Sequence, residues 1–215
     1  MAAFWTDCYQ AHFQRFFNKP FDVQIYHDRN GFALKVATYD RAMRNSRVLA
    51  SMGLADKIVA NNEEDFVEVI RDTDIADPAV ARRLVTNDNA EFGEVILHAD
   101  VADPAVPHLF VNALFFILQH DIELGSRFAI GGIERMHTAF SRRYGKSALY
   151  FALAHDENEN FNKVRNGDEF GFVYQAFFIS PAENRYLDDH GPDEFEKKVQ
   201  AQEGDRNSIR RSSVV

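Results

Sequence analysis

Cysteine is almost absent from this sequence: Cys8 is the single one among 215 residues. No disulfide can form within the chain, so the fold has to be held together by its hydrophobic core. The first residues also lack the basic start and the apolar core of a signal peptide. We therefore expect a cytoplasmic protein that tolerates a reducing compartment.

Long apolar runs are missing too. The longest one, residues 109–118, contains Asn112 and is much shorter than the roughly 20 residues that cross a bilayer, so we expect no membrane partner. Positive charge is scarce: 24 Lys and Arg face 33 Asp and Glu, for a formal net charge of −9. Nucleic-acid binders need a basic surface, so this balance argues against that class and is compatible with a basic protein partner.

The sequence contains no Gly-x-Ser-x-Gly, no glycine-rich phosphate loop followed by Lys-Ser/Thr, and no His-Glu-x-x-His. Cys8 and His12 are four residues apart, so they would share a helix face as thiol and base. His98, Asp100 and His108 lie around one predicted turn, but their spacing fits no known metal site. We therefore predict no catalytic residue, no metal and no cofactor.

Apolar residues, by contrast, are abundant: they make up 46% of the chain, with 20 phenylalanines. Residues 94–98 form a β-branched run that predicts a buried strand. Asp103 is then predicted to be the N-cap of a helix, with Pro104 in its first turn. From Val106 to Leu118 apolar residues cover most of the helix circumference, so we expect this strand and helix to form the centre of the core.

A shift of 26 residues aligns this unit with an upstream segment, residues 66–85, at eleven identical positions. The alignment predicts a duplicated strand-turn-helix unit. Chance convergence on the same order of strand, Asp-Pro and helix is the alternative. Two copies are too few for a solenoid, so we expect both units to belong to one sheet.

The remaining elements follow from periodicity and turn residues. Apolar spacing from Trp5 to Phe17 predicts a first helix that Thr6 or Asp7 caps and Pro20 ends. It also predicts a helix from Pro181 through Leu187 and another from Asp193 to Ala201, separated by Gly191 and Pro192. The predicted strands are residues 21–26, 32–39, 46–52, 146–154 and 170–179, and residues 128–132 are predicted to be a loop. No Ser/Gly/Pro-rich linker is present, so we expect one domain over residues 1–215, of which 204–215 form an extended tail.

Acidic residues occur in three clusters. Each of them is compatible with a solvated surface, but clustered charge also speeds the encounter with a basic partner and selects against wrong ones. We predict that the partner-binding residues come from these clusters: Glu63, Glu64, Asp65, Asp156, Glu157, Glu159, Asp188, Asp189, Asp193 and Glu194.

Several segments, in order along the chain, resemble the suppressor-of-fused-like family. They are residues 51–56 (Ser-Met-Gly-Leu-Ala-Asp), 94–97, 146–151 (Lys-Ser-Ala-Leu-Tyr-Phe), 177–183 (Phe-Phe-Ile-Ser-Pro-Ala-Glu), 190–191 with 195–196, and 205–206 with 210–213. The resemblance implies an α+β single domain with a mixed central β-sheet flanked by α-helices, and no enzymatic activity. It implies no catalytic residues.

The resemblance also implies binding to another protein. Animal members grip an extended peptide of a transcription factor beside a strand, whereas many bacterial members look like immunity proteins. We therefore predict an immunity protein that neutralises a cognate toxin. The toxin is expected to have a basic surface and to be a secretion-system effector used in bacterial competition. A peptide-binding adaptor that adds a strand at an exposed edge such as residues 32–39 is the alternative. A third possibility is a hydrolase or transferase built around Cys8, His12 or His98.

Overall fold

The structure, a computed structural model, describes residues 5–29, 31–41, 46–58, 93–154, 160–167, 169–202 and 205–215. Within these residues eight strands form one mixed sheet with helices on both faces, which confirms the predicted α+β fold class. The strands are β1 (Asp22–His27), β2 (Ala33–Arg41), β3 (Ser46–Met52), β4 (Gly93–Ala99), β5 (Phe128–Gly131), β6 (Ala148–Leu153), β7 (Lys163–Asn166) and β8 (Glu169–Ile179). The helices are α1 (Trp5–Phe17), α2 (Ala105–Gln119), α3 (Ile133–Met136), α4 (Thr138–Tyr144) and α5 (Pro181–Ala201).

The strand order is β1-β2-β3-β4-β8-β6-β5, and β7 pairs with β8 beside this path. Every pairing is antiparallel except that of β4 with β8, which runs in parallel from Gly93 opposite Phe172 to Leu97 opposite Ala176. The N-terminal strands therefore meet the C-terminal strands along one parallel seam in the middle of the sheet.

Helix α2 covers one face of the sheet and packs on Leu97 of β4 and Phe178 of β8. Nine of its fifteen residues are buried, as expected for a helix that is apolar around most of its circumference. Its start differs slightly from the prediction: Pro104 occupies the N-cap position, and the preceding Asp103 accepts a hydrogen bond from the Ala105 backbone N–H at 3.0 Å.

The opposite face is covered by α1 and α5. Helix α1 buries Trp5, Tyr9, Phe13 and Phe17 against the sheet. Its predicted cap is wrong: Asp56, from a helical turn over residues 54–58, accepts hydrogen bonds from the first two N–H groups of α1. Because a carboxylate from 50 residues away satisfies these donors, no local residue has to.

Two short strands went unrecognised in the sequence. Residues 128–131, predicted as a loop, form the edge strand β5, and residues 163–166 form β7. Helix α5 is interrupted as predicted, at Gly191, whose φ of 79° is a left-handed backbone conformation that favours glycine. The upstream copy of the duplicated unit, residues 66–85, lies outside the described residues.

The C-terminal residues 205–215 lie against the body of the protein. Asp100 accepts hydrogen bonds from the Ile209 N–H and the Ser208 hydroxyl, and Ile209 is fully buried. The Arg211 guanidinium pairs with Glu183, which is itself fully buried. The extent of the domain, residues 1–215, stays a prediction.

Candidate functional site

In the part of the chain that the structure describes, strand β1 forms one open edge of the sheet. The sequence predicted that residues 32–39 would be such an edge, and this is wrong, because β2 lies between β1 and β3 and is paired on both sides. Among the described residues, β2 is the only strand that pairs with β1. The outer side of β1 is therefore the edge at which an added strand would pair.

The register shows which backbone groups face outward. The Asp28 N–H donates to the Phe32 carbonyl at 2.9 Å, next to the pair His27 and Ala33. Hydrogen-bonded and non-hydrogen-bonded pairs alternate in an antiparallel ladder, so the even-numbered residues of β1 bond to β2. Val23, Ile25 and His27 consequently direct their N–H and C=O groups away from β2, toward the open edge.

Apolar side chains line the same edge. Phe21, Val23 and Ile25 are 52%, 51% and 58% exposed. Val23 and Ile25 project from the face of β1 that α1 covers further in, because Val23 is opposite Ala37. Phe21, just before β1, lies toward the other face, where its ring is beside Arg47. Proteins usually protect an open edge with charges, bulges or a covering element. The exposed apolar stripe of Val23 and Ile25, beside backbone groups that no described strand pairs, is therefore a candidate docking surface.

A cavity of about 300 Å³ lies behind β1, on the face that α2 covers. The buried side chains of Val36, Leu49, Val101 and Val106 line it, whereas the exposed Phe21 stands at its rim. The cavity is thus an apolar pocket next to the open edge, between strands β1 to β3 and the start of α2.

A row of polar groups from β1 borders this cavity. The Tyr26 hydroxyl donates to the Gln24 side-chain carbonyl at 2.7 Å, and the Gln24 amide donates to Asp22 at 2.8 Å. Burial, and then the charge of Asp22, raise the pKa of Tyr26 above its ordinary value. At neutral pH the phenol therefore stays neutral, and the row ends in the Asp22 carboxylate.

Two guanidinium groups lie near the same rim. Arg47 is 3.8 Å from Asp40, and its guanidinium carbon is 5.1 Å from the centre of the Phe21 ring. Arg143 is 3.3 Å from Asp103. Both are thus already placed beside a carboxylate.

Four of the predicted acidic partner-binding residues lie on α5, and they differ in how far they are neutralised. Asp193 pairs with Arg127 at 2.6 Å, and Glu194 with Lys197 at 2.6 Å. Asp188 and Asp189 are exposed, and no described cation pairs with them. The other six residues fall outside the described part of the chain: Glu63, Glu64, Asp65, Asp156, Glu157 and Glu159. Partner binding by all ten stays a prediction.

The residues considered for catalysis have other contacts. His12 Nε2 is 2.8 Å from the Phe161 carbonyl oxygen, and burial lowers the pKa of its imidazole. Burial, and then Asp7, raise the pKa of the Cys8 thiol, so less of it is the reactive thiolate at neutral pH. Nothing in these contacts joins Cys8 and His12 as nucleophile and base.

The residues considered for metal binding do not gather. His98 is buried on the face of the sheet that α1 covers, whereas His108 is exposed beside the Tyr26 ring. Asp100 accepts a hydrogen bond from the C-terminal residue Ile209. No group of three potential metal ligands occurs in the described ranges. None of the described helices is long and apolar enough to cross a membrane.

One buried ionisable group was missed in the sequence, where Glu94 looked like part of an apolar strand. It is fully buried and accepts hydrogen bonds from the Ser51 hydroxyl and from the N–H groups of Gly53 and Ala55. Burial raises its pKa to about 7. Because Glu94 holds the start of the turn that carries Asp56, it supports the fold from inside the core.

The sequence matches no protein-family model, and no curated protein is significantly similar to it. Solved structures do match the fold. A SUFU (suppressor of fused protein) homologue from Neisseria gonorrhoeae FA 1090 superposes with a TM-score of 0.60 at 12% identity, covering 98% of this chain and 97% of that one. A chain of the Sufu-Fu complex superposes with a TM-score of 0.56 at 10% identity, covering 98% and 90%. The suppressor-of-fused-like fold predicted from the sequence is therefore confirmed.

Proposed function

We propose that this protein is a non-enzymatic immunity protein, which binds a cognate protein toxin and neutralises it by direct contact. The open edge of β1, with its exposed Phe21, Val23 and Ile25, carries the proposal, because it offers apolar area and backbone hydrogen bonds to a partner. The fold supports protein binding, since a similar chain occurs in the Sufu-Fu complex, and the other similar structure is bacterial.

The charge of the chain supports a basic partner. A net charge of −9 attracts a positively charged surface over a distance of about 10 Å at moderate salt. Asp188 and Asp189 add exposed carboxylates that no described cation neutralises. Opposite charge speeds encounter and disfavours wrong partners, which suits an inhibitor that has to act before its toxin does damage.

The test is to mix the protein with the product of the adjacent gene and to measure both complex formation and toxin activity. We expect a one-to-one complex and loss of activity. The double substitution Val23→Lys and Ile25→Lys places two charges on the docking stripe and should weaken binding by at least about 100-fold, as for a central interface residue. The matched control is Phe116→Lys, at an exposed apolar position on α2, which should bind normally. Full toxin activity in excess wild-type protein would contradict the proposal.

A second candidate function is a peptide-binding adaptor that adds a strand of its partner to β1. The outward N–H and C=O groups of Val23, Ile25 and His27 favour it specifically. Ile25→Pro removes one outward donor but leaves the pairs with β2 intact, because Ile25 does not donate to β2. The control Ile25→Ala removes the side chain but keeps the N–H.

Strand addition predicts that Ile25→Pro binds the partner about tenfold more weakly than Ile25→Ala, which is the loss of one backbone hydrogen bond. Equal affinities of the two variants would mean that the partner docks on side chains without adding a strand. Deletion of a short extended segment of the partner should likewise abolish binding by an adaptor, whereas a large folded interface would survive it.

A further inference from the structure

We infer that the cavity behind β1 receives an arginine side chain of the protein partner. The inference rests on the proposed function, which it makes more specific. The cavity lies between strands β1 to β3 and the start of α2, directly behind the edge on which the partner is proposed to dock.

The size and lining of the cavity fit one long side chain. Its volume of about 300 Å³ is at the lower end of the range for small-molecule sites. Val36, Leu49, Val101 and Val106 make its floor apolar, so a side chain that lies across the cavity would bury its methylene groups on the floor and place its polar end at the rim, beside Asp22.

Among the described residues, the charges around the cavity are one cation short. Asp22, Asp103 and Arg47 line the cavity. Asp40 lies beside Arg47, and Arg143 beside Asp103, so three described carboxylates stand against two described guanidinium groups. Asp40 and Asp103 each have one of these cations within 4 Å. Asp22 has only the neutral amide of Gln24 as a described partner. An incoming cation would therefore complete the set.

The positively charged end of helix α2 does not repel a cation from this cavity. The N-terminus of a helix carries partial positive charge, and that of α2 lies at the cavity. Asp103 already accepts from the Ala105 N–H there, so a carboxylate compensates this partial charge.

Arginine fits better than lysine because its planar guanidinium makes two parallel hydrogen bonds to one carboxylate and stacks on an aromatic ring. Both surfaces are present at the rim, as the Asp22 carboxylate and the face of the Phe21 ring that Arg47 does not cover. Free arginine fits less well, because its own carboxylate needs a second cation and Arg47 already lies beside Asp40. The source is thus a side chain of the protein partner.

The assignment is tested on the full chain by titrating ¹⁵N-labelled protein with N-acetyl-arginine methylamide. We expect saturable shifts of the Gln24, Thr38 and Ala102 amide signals, at millimolar concentrations because a single side chain binds weakly. Asp22→Asn should weaken binding at least fivefold, whereas the control Asp188→Asn, at an exposed carboxylate on α5, should not. N-acetyl-lysine methylamide should bind several-fold more weakly, and N-acetyl-leucine methylamide should leave these signals unmoved.

Three outcomes would overturn the assignment: no saturable shift with the arginine compound up to about 50 mM, equal binding of the leucine compound, or tighter binding of free L-arginine. The toxin assay separates this inference from the proposed function. If Asp22→Asn neutralises the toxin as well as wild type does, the arginine site is wrong and the proposed function stands. If the arginine compound binds but wild-type protein leaves the toxin active, the site stands and the proposed function is wrong.

Discussion

Glu94 keeps a carboxyl group in the middle of the core, where burial raises its pKa from an ordinary 4.5 to about 7. When a carboxyl group has a higher pKa in the folded than in the unfolded protein, its protonated form stabilises the fold. This stabilisation is complete below the unfolded-state pKa and is lost as pH rises through the folded-state pKa. From pH 4.5 to above 7, ionisation of Glu94 should therefore cost roughly 3 kcal/mol of unfolding free energy.

Glu94→Gln should remove that loss, because the amide cannot ionise and keeps a carbonyl for the Gly53 and Ala55 N–H groups. Urea unfolding at a series of pH values measures this pH-dependent loss of stability. Wild type should become less stable than Glu94→Gln on the alkaline side, and the exposed Glu134→Gln should follow wild type. Parallel pH profiles for Glu94→Gln and wild type would show that Glu94 does not titrate in this range.

Gly93 shows how little space the parallel seam leaves. A methyl group at this position would lie 2.0 Å from the Phe172 carbonyl oxygen, a backbone atom held in the sheet. Gly93→Ala should therefore separate the start of β4 from β8 and destabilise the protein by about 2 kcal/mol or more. The control is Gly131→Ala at the end of β5, where a methyl group meets nothing within 4 Å. Similar denaturant midpoints for the two variants would refute the close approach.

At the scale of whole elements, the C-terminal residues hold α5 in place through the ion pair of Arg211 with Glu183. Burial alone would raise the pKa of Glu183, but the Arg211 guanidinium overcomes this and lowers it below its usual value. The Lys146 ammonium group donates to the Arg211 carbonyl at 3.0 Å, and burial lowers the pKa of this lysine to about 8. Arg211 thus holds a buried carboxylate through its side chain and a buried lysine through its backbone.

Arg211→Leu should destabilise the protein by roughly 3 kcal/mol, because it leaves the Glu183 carboxylate buried without its cation. The neighbouring Arg210→Leu changes an exposed side chain and should have little effect. Thermal unfolding near neutral pH is the measurement. The gap between the variants should narrow in acid, because a lowered carboxyl pKa contributes stability that is lost as pH falls through it. Equal stability of the two variants would mean that the ion pair of Arg211 with Glu183 contributes little to the free energy of unfolding.

Elements with strong periodicity were predictable from the sequence. Trp5, Tyr9 and Phe13 predicted α1, and the β-branched run at 94–98 predicted β4. The four-residue strands β5 and β7 were not, because so short a segment shows no period. The capping of α1 by Asp56 was not either, because tertiary contacts over 50 residues leave no local signal.

The candidate site was less predictable than the fold. Phe21, Val23 and Ile25 alternate as core residues of a strand do, and only the strand order places them at an open edge. The sequence predicted the hairpin but not which of its strands would gain a further neighbour. Acidic clusters are visible in a sequence, whereas the cavity behind β1 brings Asp22 beside residues 101–107 of another segment.

At the scale of the whole molecule, the charge of −9 predicts how partner binding depends on salt. Raising NaCl from about 0.05 to 0.5 M shortens the range of electrostatic attraction to a few ångströms, so the association rate with a basic partner should fall at least tenfold. The dissociation rate should change much less, because it depends on the apolar contacts proposed at β1. Surface plasmon resonance separates the two rates, and a salt-independent association rate would exclude steering by charge.

We expect the parallel seam to set the order in which the protein folds. β1 to β3 and β6 to β8 pair with near neighbours along the chain, whereas β4 meets β8 only after a loop from Gly93 to Phe172 has closed. Long loops close at a greater entropic cost, so the two half-sheets should assemble first and join late. Mutations at the seam should then accelerate unfolding far more than they slow folding.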